Sequence, residues 1–330
     1  MTPHLTVIIP TYNRPDVVGR ALRSLQKQTL AHELFAVIVV DDSSNNDSGF
    51  LADQDYPFAF SYLRQDHRGA TSARNHGAQQ ASSDLLIFMD DDVTASEAAL
   101  QSMLQSFLTT KKALVMGTIR TCYDGTRSPY AEMAVRLDRP VQPKNTLGGN
   151  PTLNEVDCVQ CNTEFLAVKR KDFFELGMFH DPTGDWPNWD DVDFGFRAAR
   201  QGFRLYVAPS VRVEHWDYSL VHLQVAAQRW RRASRAAVKL FQTHPDLQEQ
   251  LPMFLDKFPI RWFQDPPKLI ARKIARWGSS NKAALFLVEQ LTYLIERMNS
   301  SWSLLSLLYR WVNGAYMYQG VREGLKTVDR

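Results

Sequence analysis

The chain has 330 residues, a formal net charge of +2 and three cysteines. Its length suits one large domain with an appendage, its near-neutral charge excludes a polyelectrolyte, and three cysteines exclude a full disulfide framework. No uninterrupted apolar run approaches the roughly 20 residues of a membrane span. Because Met1–His4 leads directly into a strand pattern, we expect no secretory signal and a cytoplasmic protein.

Strand and helix patterns alternate from residue 5 onward. The apolar runs that predict strands are Leu5–Pro10, Phe35–Val40, Phe58–Leu63 and Leu85–Met89. The stretches with helical spacing or a helix-forming run of small residues are Asp16–Gln28 and Gly69–Ala81. Continuously apolar strands that are separated by helices predict a parallel sheet covered on both faces.

Polar clusters follow three of these strands. They are Thr11–Arg14, Asp41–Ser44 and Asp90–Asp92. Open parallel sheets bind ligands beyond the carboxyl ends of their strands, so the three clusters predict one site. Three adjacent carboxylates repel each other unless a cation is near, and hard oxygen ligands suit Mg²⁺ or Mn²⁺. The alternative is a solvated acidic turn before a helix that Thr94 or Ser96 caps.

Seven segments together resemble family-2 nucleotide-sugar glycosyltransferases with the A-type fold, over roughly residues 5–215. They are VIIPTYNR at 7–14, VVDDSS at 39–44, GATSARNHGAQQA at 69–81, FMDDD at 88–92, CNTEFLAVKR at 161–170, LGMF at 176–179 and WDDVDFGFR at 189–197. The resemblance implies an α/β fold in which helices flank a mostly parallel central sheet. It also implies a nucleotide-sugar-binding and catalytic domain, which we place at 1–225, and helical spacing with an excess of positive charge predicts a helical, basic region at 226–330.

The first two clusters are candidates for binding the donor nucleotide. A base needs a flat apolar contact, for which Pro10 and Tyr12 are candidates, and an acceptor for a ring N–H, for which Asp42 and its neighbour Asp41 are candidates. The alternative is that Asp41 caps the following segment. Thr11 and Arg14, which follow the first strand, are further candidates for binding the donor.

Arg74, in the second predicted helix, is a candidate for the donor diphosphate because a guanidinium matches phosphate oxygens in a forked geometry. The alternative is a surface salt bridge. In the Asp-x-Asp (DXD) motif, family position makes Asp92 the direct metal ligand and Asp90 a ligand or ribose contact. The resemblance implies less about Asp91, which we include among the donor-binding residues. The implied cofactor is Mn²⁺ or Mg²⁺.

Residues from the second half of the match complete the implied site. Asp191 matches the family's general base and Asp190 is the second candidate, although the family usually has Glu-Asp here. A single base without an evident nucleophile implies inversion of the anomeric centre. The family often carries a metal-facing histidine at the position of His215, for which a packed histidine is the alternative. Asn162 and Trp189 are the candidates for binding the acceptor, although tryptophan is also ordinary core filling.

The C-terminal third differs in charge. Residues 226–330 contain 17 lysines and arginines against 8 aspartates and glutamates, a net charge of +9. Basic stretches mixed with aromatics, Lys257–Phe263 and Lys268–Trp277, suit an anionic membrane surface. This favours a peripheral location on the inner face of the membrane. The alternative is a solvated helical bundle, and no recognised module accompanies the charge to favour nucleic acid.

The sequence therefore predicts an inverting, metal-dependent glycosyltransferase of the hexosyltransferase class. It would move a sugar from a nucleoside diphosphate sugar to a hydroxyl of a saccharide or lipid-linked acceptor, in polysaccharide or glycolipid assembly. One alternative is a sugar nucleotidyltransferase, which lacks support because no Gly-rich phosphate loop lies near Thr11. The other is a catalytically inactive glycan-binding protein on the same fold, against which the intact Asp92 and Asp191 argue.

Overall fold

The computed structural model describes residues 4–45, 49–108, 110–123, 128–137, 153–181, 189–217, 222–298 and 302–328. Two compact units make up the chain. The sheet unit comprises residues 1–122, 138–180 and 190–217, and the helical unit comprises residues 123–137, 181–189 and 218–330. The predicted domain division at residue 225 stays a prediction. None of the helices in the described ranges is long and apolar enough to cross a membrane.

A single sheet organises the sheet unit, in the order β3-β2-β1-β4-β8-β6-β9-β5, with β7 paired to β9. Its strands are β1 (Leu5–Thr11), β2 (Phe35–Asp41), β3 (Ala59–Arg64), β4 (Leu85–Met89), β5 (Val93–Ala95), β6 (Ala113–Cys122), β7 (Asn154–Val156), β8 (Phe165–Lys169) and β9 (Arg204–Trp216). The first four strands form a parallel block. Beyond it, β8 is antiparallel to both β4 and β6, and β9 is parallel to β6.

Helices cover the sheet and make up the C-terminal region. They are α1 (Pro15–Gln26), α2 (Gly69–Gln80), α3 (Ala99–Leu108), α4 (Pro129–Leu137), α5 (Arg170–Glu175), α6 (Asp190–Arg200), α7 (Leu223–Thr243), α8 (Leu247–Gln250), α9 (Pro267–Ser279), α10 (Lys282–Arg297) and α11 (Trp302–Val328). The predicted α/β class, with a mostly parallel sheet, flanking helices and a helical C-terminal region, is confirmed.

Two apolar cores lie on opposite faces of the sheet because successive strand side chains alternate. Val7 and Ile9 of β1 join the core beneath α1, whereas Ile8 joins the core beneath α2 and α6. Gly77 allows α2 to approach β1, since a Cβ there would lie 2.5 Å from Cγ2 of Ile8. This close packing fixes the start of α2 relative to the strand ends that carry the polar clusters.

Candidate active site

The carboxyl ends of β1, β2 and β4 lie side by side, as the sequence predicted. Thr11 and Asp41 are register partners at the ends of β1 and β2. Beyond them, Asn13 adopts a left-handed conformation with φ 55°. Its backbone N–H donates to Oγ of Ser44 at 2.7 Å, and its side chain accepts from the N–H of Asn45 at 2.7 Å. These bonds tie the two loops into one rim.

Arg14 lies across the acidic triplet that follows β4. Its guanidinium is 2.6 Å from Oδ1 of Asp91 and 3.0 Å from Oδ2 of Asp92. The hydroxyl of Thr11 donates to Asp91 at 2.8 Å. Burial nevertheless raises the pKa of Asp91 to about 7, against the opposing charge of Arg14. Arg14 therefore only partly neutralises the triplet.

Asp92 also contacts His215, which β9 places beside it through the pairing of Val93 with His215. Nε2 of His215 is 3.3 Å from Asp92, and its Nδ1 is 3.4 Å from Glu164. Burial lowers the pKa of His215, but the hydrogen bond to Asp92 and the charge of Glu164 outweigh it and raise the pKa to about 10. Burial raises the pKa of Glu164 to about 7. The imidazolium thus holds two carboxyl groups together.

Arg74 on α2 connects the triplet to the start of α6. Its guanidinium donates to Oδ1 of Asp90 at 2.7 Å and to Oδ2 of Asp190 at 3.1 Å. Thr71, one turn earlier, donates to the same oxygen of Asp190 at 2.8 Å. The Arg74 side chain is buried, so these pairs are not at the surface. Its contact with a diphosphate stays a prediction.

The two candidate bases at the start of α6 differ in their contacts. Oδ2 of Asp190 accepts the two hydrogen bonds just described, whereas Oδ1 of Asp191 accepts the N–H of Val192 in its own helix at 2.7 Å. Burial, with the negative charge of Asp190 second, raises the pKa of Asp191 to about 8. Asp193 pairs with Arg197, one turn later in the same helix, at 2.7 Å. Asp191 is therefore the carboxylate less committed to the fold.

The acidic pair after β2 is occupied by loop contacts. Asp41 accepts the hydroxyl of Tyr62 and, at 2.7 Å, the N–H of Ser44. Asp42 accepts three N–H groups at 2.8 Å each, from the side chain of Gln65 and the backbones of Arg68 and Gly69. Both carboxylates thus shape the loop into α2, and their contact with a base stays a prediction.

Tyr12 is the exposed aromatic side chain of this rim, while Pro10 is buried within β1. The ring of Tyr12 stacks on that of His67 at a centroid distance of 4.5 Å. Nδ1 of His67 lies 2.8 Å from Asp42. A flat surface for a base is therefore present at Tyr12, which supports the prediction without testing it.

The candidate acceptor residues lie in different units. In the sheet unit, Asn162 has a buried Oδ1 with no hydrogen-bond partner among the described residues. Such an orphaned acceptor is costly unless a ligand or water completes it. In the helical unit, Trp189 donates its ring N–H to the carbonyl of Ala233 at 2.8 Å and packs edge-on against Phe254. The roles of both residues stay predictions.

Sequence reasoning missed Glu164, Thr71 and His67. Glu164 immediately precedes β8, which pairs antiparallel with β4, and its carbonyl accepts the N–H of Asp90 at 3.3 Å. The antiparallel pairing brings the start of β8 to the end of β4. The sequence does show a carboxylate directly before an apolar strand. It does not show that this strand runs antiparallel to β4, which is what brings Glu164 into the site. Thr71 and His67 carry no signal in the sequence beyond their proximity to Arg74 and Asp42.

Comparison with known proteins is consistent with this geometry. The family model "Glycosyl transferase family 2" matches residues 6–167. Validoxylamine A glucosyltransferase from Streptomyces hygroscopicus subsp. limoneus is 26% identical over 272 residues, which cover 76% of this chain and 58% of that protein. GalNAc(5)-diNAcBac-PP-undecaprenol beta-1,3-glucosyltransferase from Campylobacter jejuni is 32% identical over 184 residues, covering 54% of this chain and 55% of that protein.

The fold also has a solved counterpart. The mannosyltransferase PcManGT from Pyrobaculum calidifontis, in complex with GDP-Man and Mn²⁺, superposes with a TM-score of 0.56 at 19% identity. The match covers 98% of this chain and 88% of that one. The chain thus has the A-type glycosyltransferase fold, although it spans only 58% and 63% of the two validoxylamine A glucosyltransferases that it matches. On this family-model match, residues 6–167 of the chain belong to glycosyl transferase family 2.

Proposed function

We propose that this protein is an inverting, metal-dependent glycosyltransferase that moves a sugar from a nucleoside diphosphate sugar to an acceptor hydroxyl. The observation that carries the proposal is the bridge made by Arg74, which is 2.7 Å from Asp90 and 3.1 Å from Asp190. It brings the acidic triplet, which suits a metal and a diphosphate, next to the helix that carries the candidate base. Donor activation and proton removal require these two groups in one site.

The donor set supports a divalent metal. Asp92 and Asp90 offer carboxylate ligands, and His215 would offer an imidazole ligand once a metal displaces the proton that its ring shares with Asp92. The described residues contain no preformed group of three or more His, Cys, Asp or Glu side chains that is suited to hold a metal ion. That fits Mg²⁺ or Mn²⁺, which bind through one or two carboxylates plus substrate phosphates. A metal, when bound, neutralises charge on the departing nucleoside diphosphate.

Asp191 is the proposed general base, which takes the proton from the acceptor hydroxyl as that oxygen attacks the anomeric carbon. Its pKa of about 8 makes it a strong proton acceptor once ionised. Asp190 is a positioning residue in this scheme because Arg74 and Thr71 hold its carboxylate. With one base and no separate nucleophile, the reaction inverts the configuration of the sugar.

The names of the relatives support a hexose donor and a saccharide or lipid-linked acceptor. Two of them are glucosyltransferases, and one has a name that specifies an undecaprenol-linked glycan. The net charge of +9 in residues 226–330 supports work at the inner surface of an anionic membrane. We propose glycan or glycolipid assembly as the process, without nucleic acid as a partner.

Thermal-shift measurement with UDP, GDP and ADP, each with and without Mn²⁺, tests the proposal. A ligand that binds only the native state raises the Tm, so at least one nucleotide should stabilise the protein in a Mn²⁺-dependent way. A radiolabelled sugar transfer assay with the selected nucleotide's sugars then tests the reaction. If no nucleotide stabilises the protein with Mn²⁺, the donor and metal assignments are wrong.

A further inference from the structure

Two of the four cations of helix α9, Lys273 and Arg276, lie inside, whereas part of the helix's apolar surface lies outside. The side chains of Lys273 and Arg276 are only 4% and 14% exposed, whereas Ile274 and Trp277 are 48% and 66% exposed. A surface helix normally has the reverse arrangement, because burying an amine or guanidinium costs free energy unless it is paired. The helix therefore carries an outward apolar surface that packing within the unit does not explain.

Buried ion pairs hold this arrangement in place. Nζ of Lys273 donates to Asp265 at 2.6 Å and to the carbonyl of Pro259 at 2.9 Å. Nε of Arg276 lies 3.5 Å from Asp256, which is itself paired with Lys257. Each contact joins α9 to the segment that precedes it, so the helix cannot rotate its cations outward without breaking these bonds.

What the ion pairs fix is a turn with an aromatic tip. Asp265 accepts the N–H of Arg261 at 2.8 Å, and the carbonyl of Arg261 accepts the N–H groups of Gln264 and Asp265. The two residues that follow Arg261 are Trp262, which is 66% exposed, and Phe263, which is fully exposed. Hydrogen bonds therefore hold this turn in a defined conformation, and that conformation exposes two adjacent large aromatic side chains to solvent.

Helix α10 also exposes apolar residues, over a longer stretch. Leu287, Leu291 and Leu294 recur at helical spacing, and the exposed Met298 follows directly after the helix. Residues spaced by three or four positions share one side of a helix. Two successive elements of the helical unit therefore each expose an apolar side.

The charges around these surfaces select the partner. From residue 252 to 298, every charged residue that is exposed, rather than buried or half-buried, is a cation: Arg261, Lys268, Arg272, Lys282 and Arg297. A symmetric dimer through this surface would bring the same cations together on both subunits. An anionic bilayer instead pairs with the cations and receives the aromatic and aliphatic side chains at its interface.

We propose that the aromatic tip, defined as Trp262 and Phe263, inserts into the interface of an anionic phospholipid membrane, with the exposed side of α9 lying along the same interface. The proposal deepens the membrane location in the proposed function, but it requires neither donor binding nor transfer. Cations give the initial attraction, which salt weakens, and the aromatics give a component that salt does not remove.

Co-sedimentation of the full chain with vesicles tests the tip, in the absence of nucleotide and metal. Vesicles of phosphatidylcholine alone are compared with vesicles that also contain phosphatidylglycerol, at low and high NaCl. The parent should bind only the anionic vesicles. Trp262→Ala and Phe263→Ala should each weaken binding by about tenfold, as expected for losing one buried aromatic. Phe50→Ala is the matched control, since Phe50 is an exposed phenylalanine of the sheet unit.

Three outcomes would overturn the proposal: no vesicle binding by the parent at low salt, unchanged binding by both tip variants, or equal weakening by Phe50→Ala. Light scattering of the same proteins identifies a tip that instead joins two copies, because Phe263→Ala would then dissociate a dimer. Since no sugar transfer is measured, an inactive enzyme leaves the result unaffected. Conversely, an active enzyme that ignores vesicles refutes the membrane tip and the membrane location, but leaves the proposed sugar transfer intact.

Discussion

Both units bury carboxylates beside cations, but they balance these charges differently. In the helical unit, Asp265 pairs with Lys273, and Asp256 pairs with Lys257 and approaches Arg276. Although burial alone would raise the pKa of Asp256, Lys257 and the nearby arginines hold it below its ordinary value. In this part of the helical unit, each of these buried carboxylates has at least one cation beside it.

In the sheet unit, the carboxylates around the strand ends outnumber the cations that touch them. The carboxylates are Asp90, Asp91, Asp92, Glu164, Asp190 and Asp191, and the cations are Arg14, Arg74 and His215. The pKa values of Asp91, Glu164 and Asp191 are raised to about 7, 7 and 8. A matched cluster stabilises the fold, whereas an excess of buried acid favours an added cation and a carboxylate that can take up a proton.

The largest expected effect concerns the proton acceptor. Asp191→Asn should retain donor binding yet lose turnover by a factor on the order of 10²–10⁴, because an amide cannot accept the proton of the acceptor hydroxyl. Asp190→Asn should lose less, since Asp190 acts through Arg74 and Thr71. Steady-state kinetics and nucleotide titration separate kcat from binding. Full activity of Asp191→Asn would remove it as the base, and the opposite ranking would assign the role to Asp190.

The second prediction contrasts stability in the two regions. Asp265→Asn leaves Lys273 buried without its carboxylate and should lower the free energy of unfolding by about 3–5 kcal/mol. At high pH, Asp191→Asn should instead raise the free energy of unfolding. The folded pKa of Asp191, about 8, exceeds its ordinary value of 3.8, so its contribution to stability is fully present below pH 3.8 and is lost as pH rises through about 8.

Urea denaturation measures both effects, at about one pH unit above the pKa of Asp191. There the neutral asparagine should make Asp191→Asn more stable than the parent. If Asp265→Asn is neutral, the helical unit does not depend on its buried pair. If Asp191→Asn is destabilised as strongly as Asp265→Asn, the distinction between matched and unmatched clusters fails.

The strand ends could be predicted from the sequence, because predicting them needs only the local pattern of apolar residues. Continuous apolar runs predicted β1, β2 and β4 to within one residue of their observed bounds. Parallel strands align their carboxyl ends, so the grouping of Thr11, Asp41 and Asp90 followed from the topology. The bridge of Arg74 was not predictable, because Asp190 lies 116 positions away and its approach depends on how α6 packs on the sheet.

Which side of α9 faces solvent could not be predicted from the sequence either, because it also depends on contacts between distant residues. Lys268–Trp277 was recognised as basic and aromatic, but helical spacing alone favours apolar residues inside and lysine outside. The burial of Lys273 depends on Asp265 and on the carbonyl of Pro259, which the preceding turn brings to it. Tertiary contacts, not the periodicity of the helix, decide which side is exposed.

The third prediction tests whether the excess acid recruits a metal. Asp92→Asn should abolish the Mn²⁺-dependent part of nucleotide stabilisation, which is about 2.7 kcal/mol when ligand is at 100 times its Kd. Asp53→Asn, at an exposed aspartate of the same unit, is the matched control and should behave as the parent. Calorimetry with and without Mn²⁺ measures the difference. Unchanged Mn²⁺-dependent affinity in Asp92→Asn would contradict the metal assignment.

The smallest expected effect is a displacement of the pH profile. Asp191 must be ionised to accept a proton, so kcat/KM should fall by about tenfold per pH unit below its pKa of about 8 and level off above it. After burial, the charge of Asp190 is the largest influence that raises this pKa. Asp190→Asn removes that charge while keeping a similar shape, so its profile should move to lower pH, whereas Asp53→Asn should leave it in place. A profile that is flat below pH 8, or that does not move in Asp190→Asn, would mean that Asp191 does not control the rate through its ionisation.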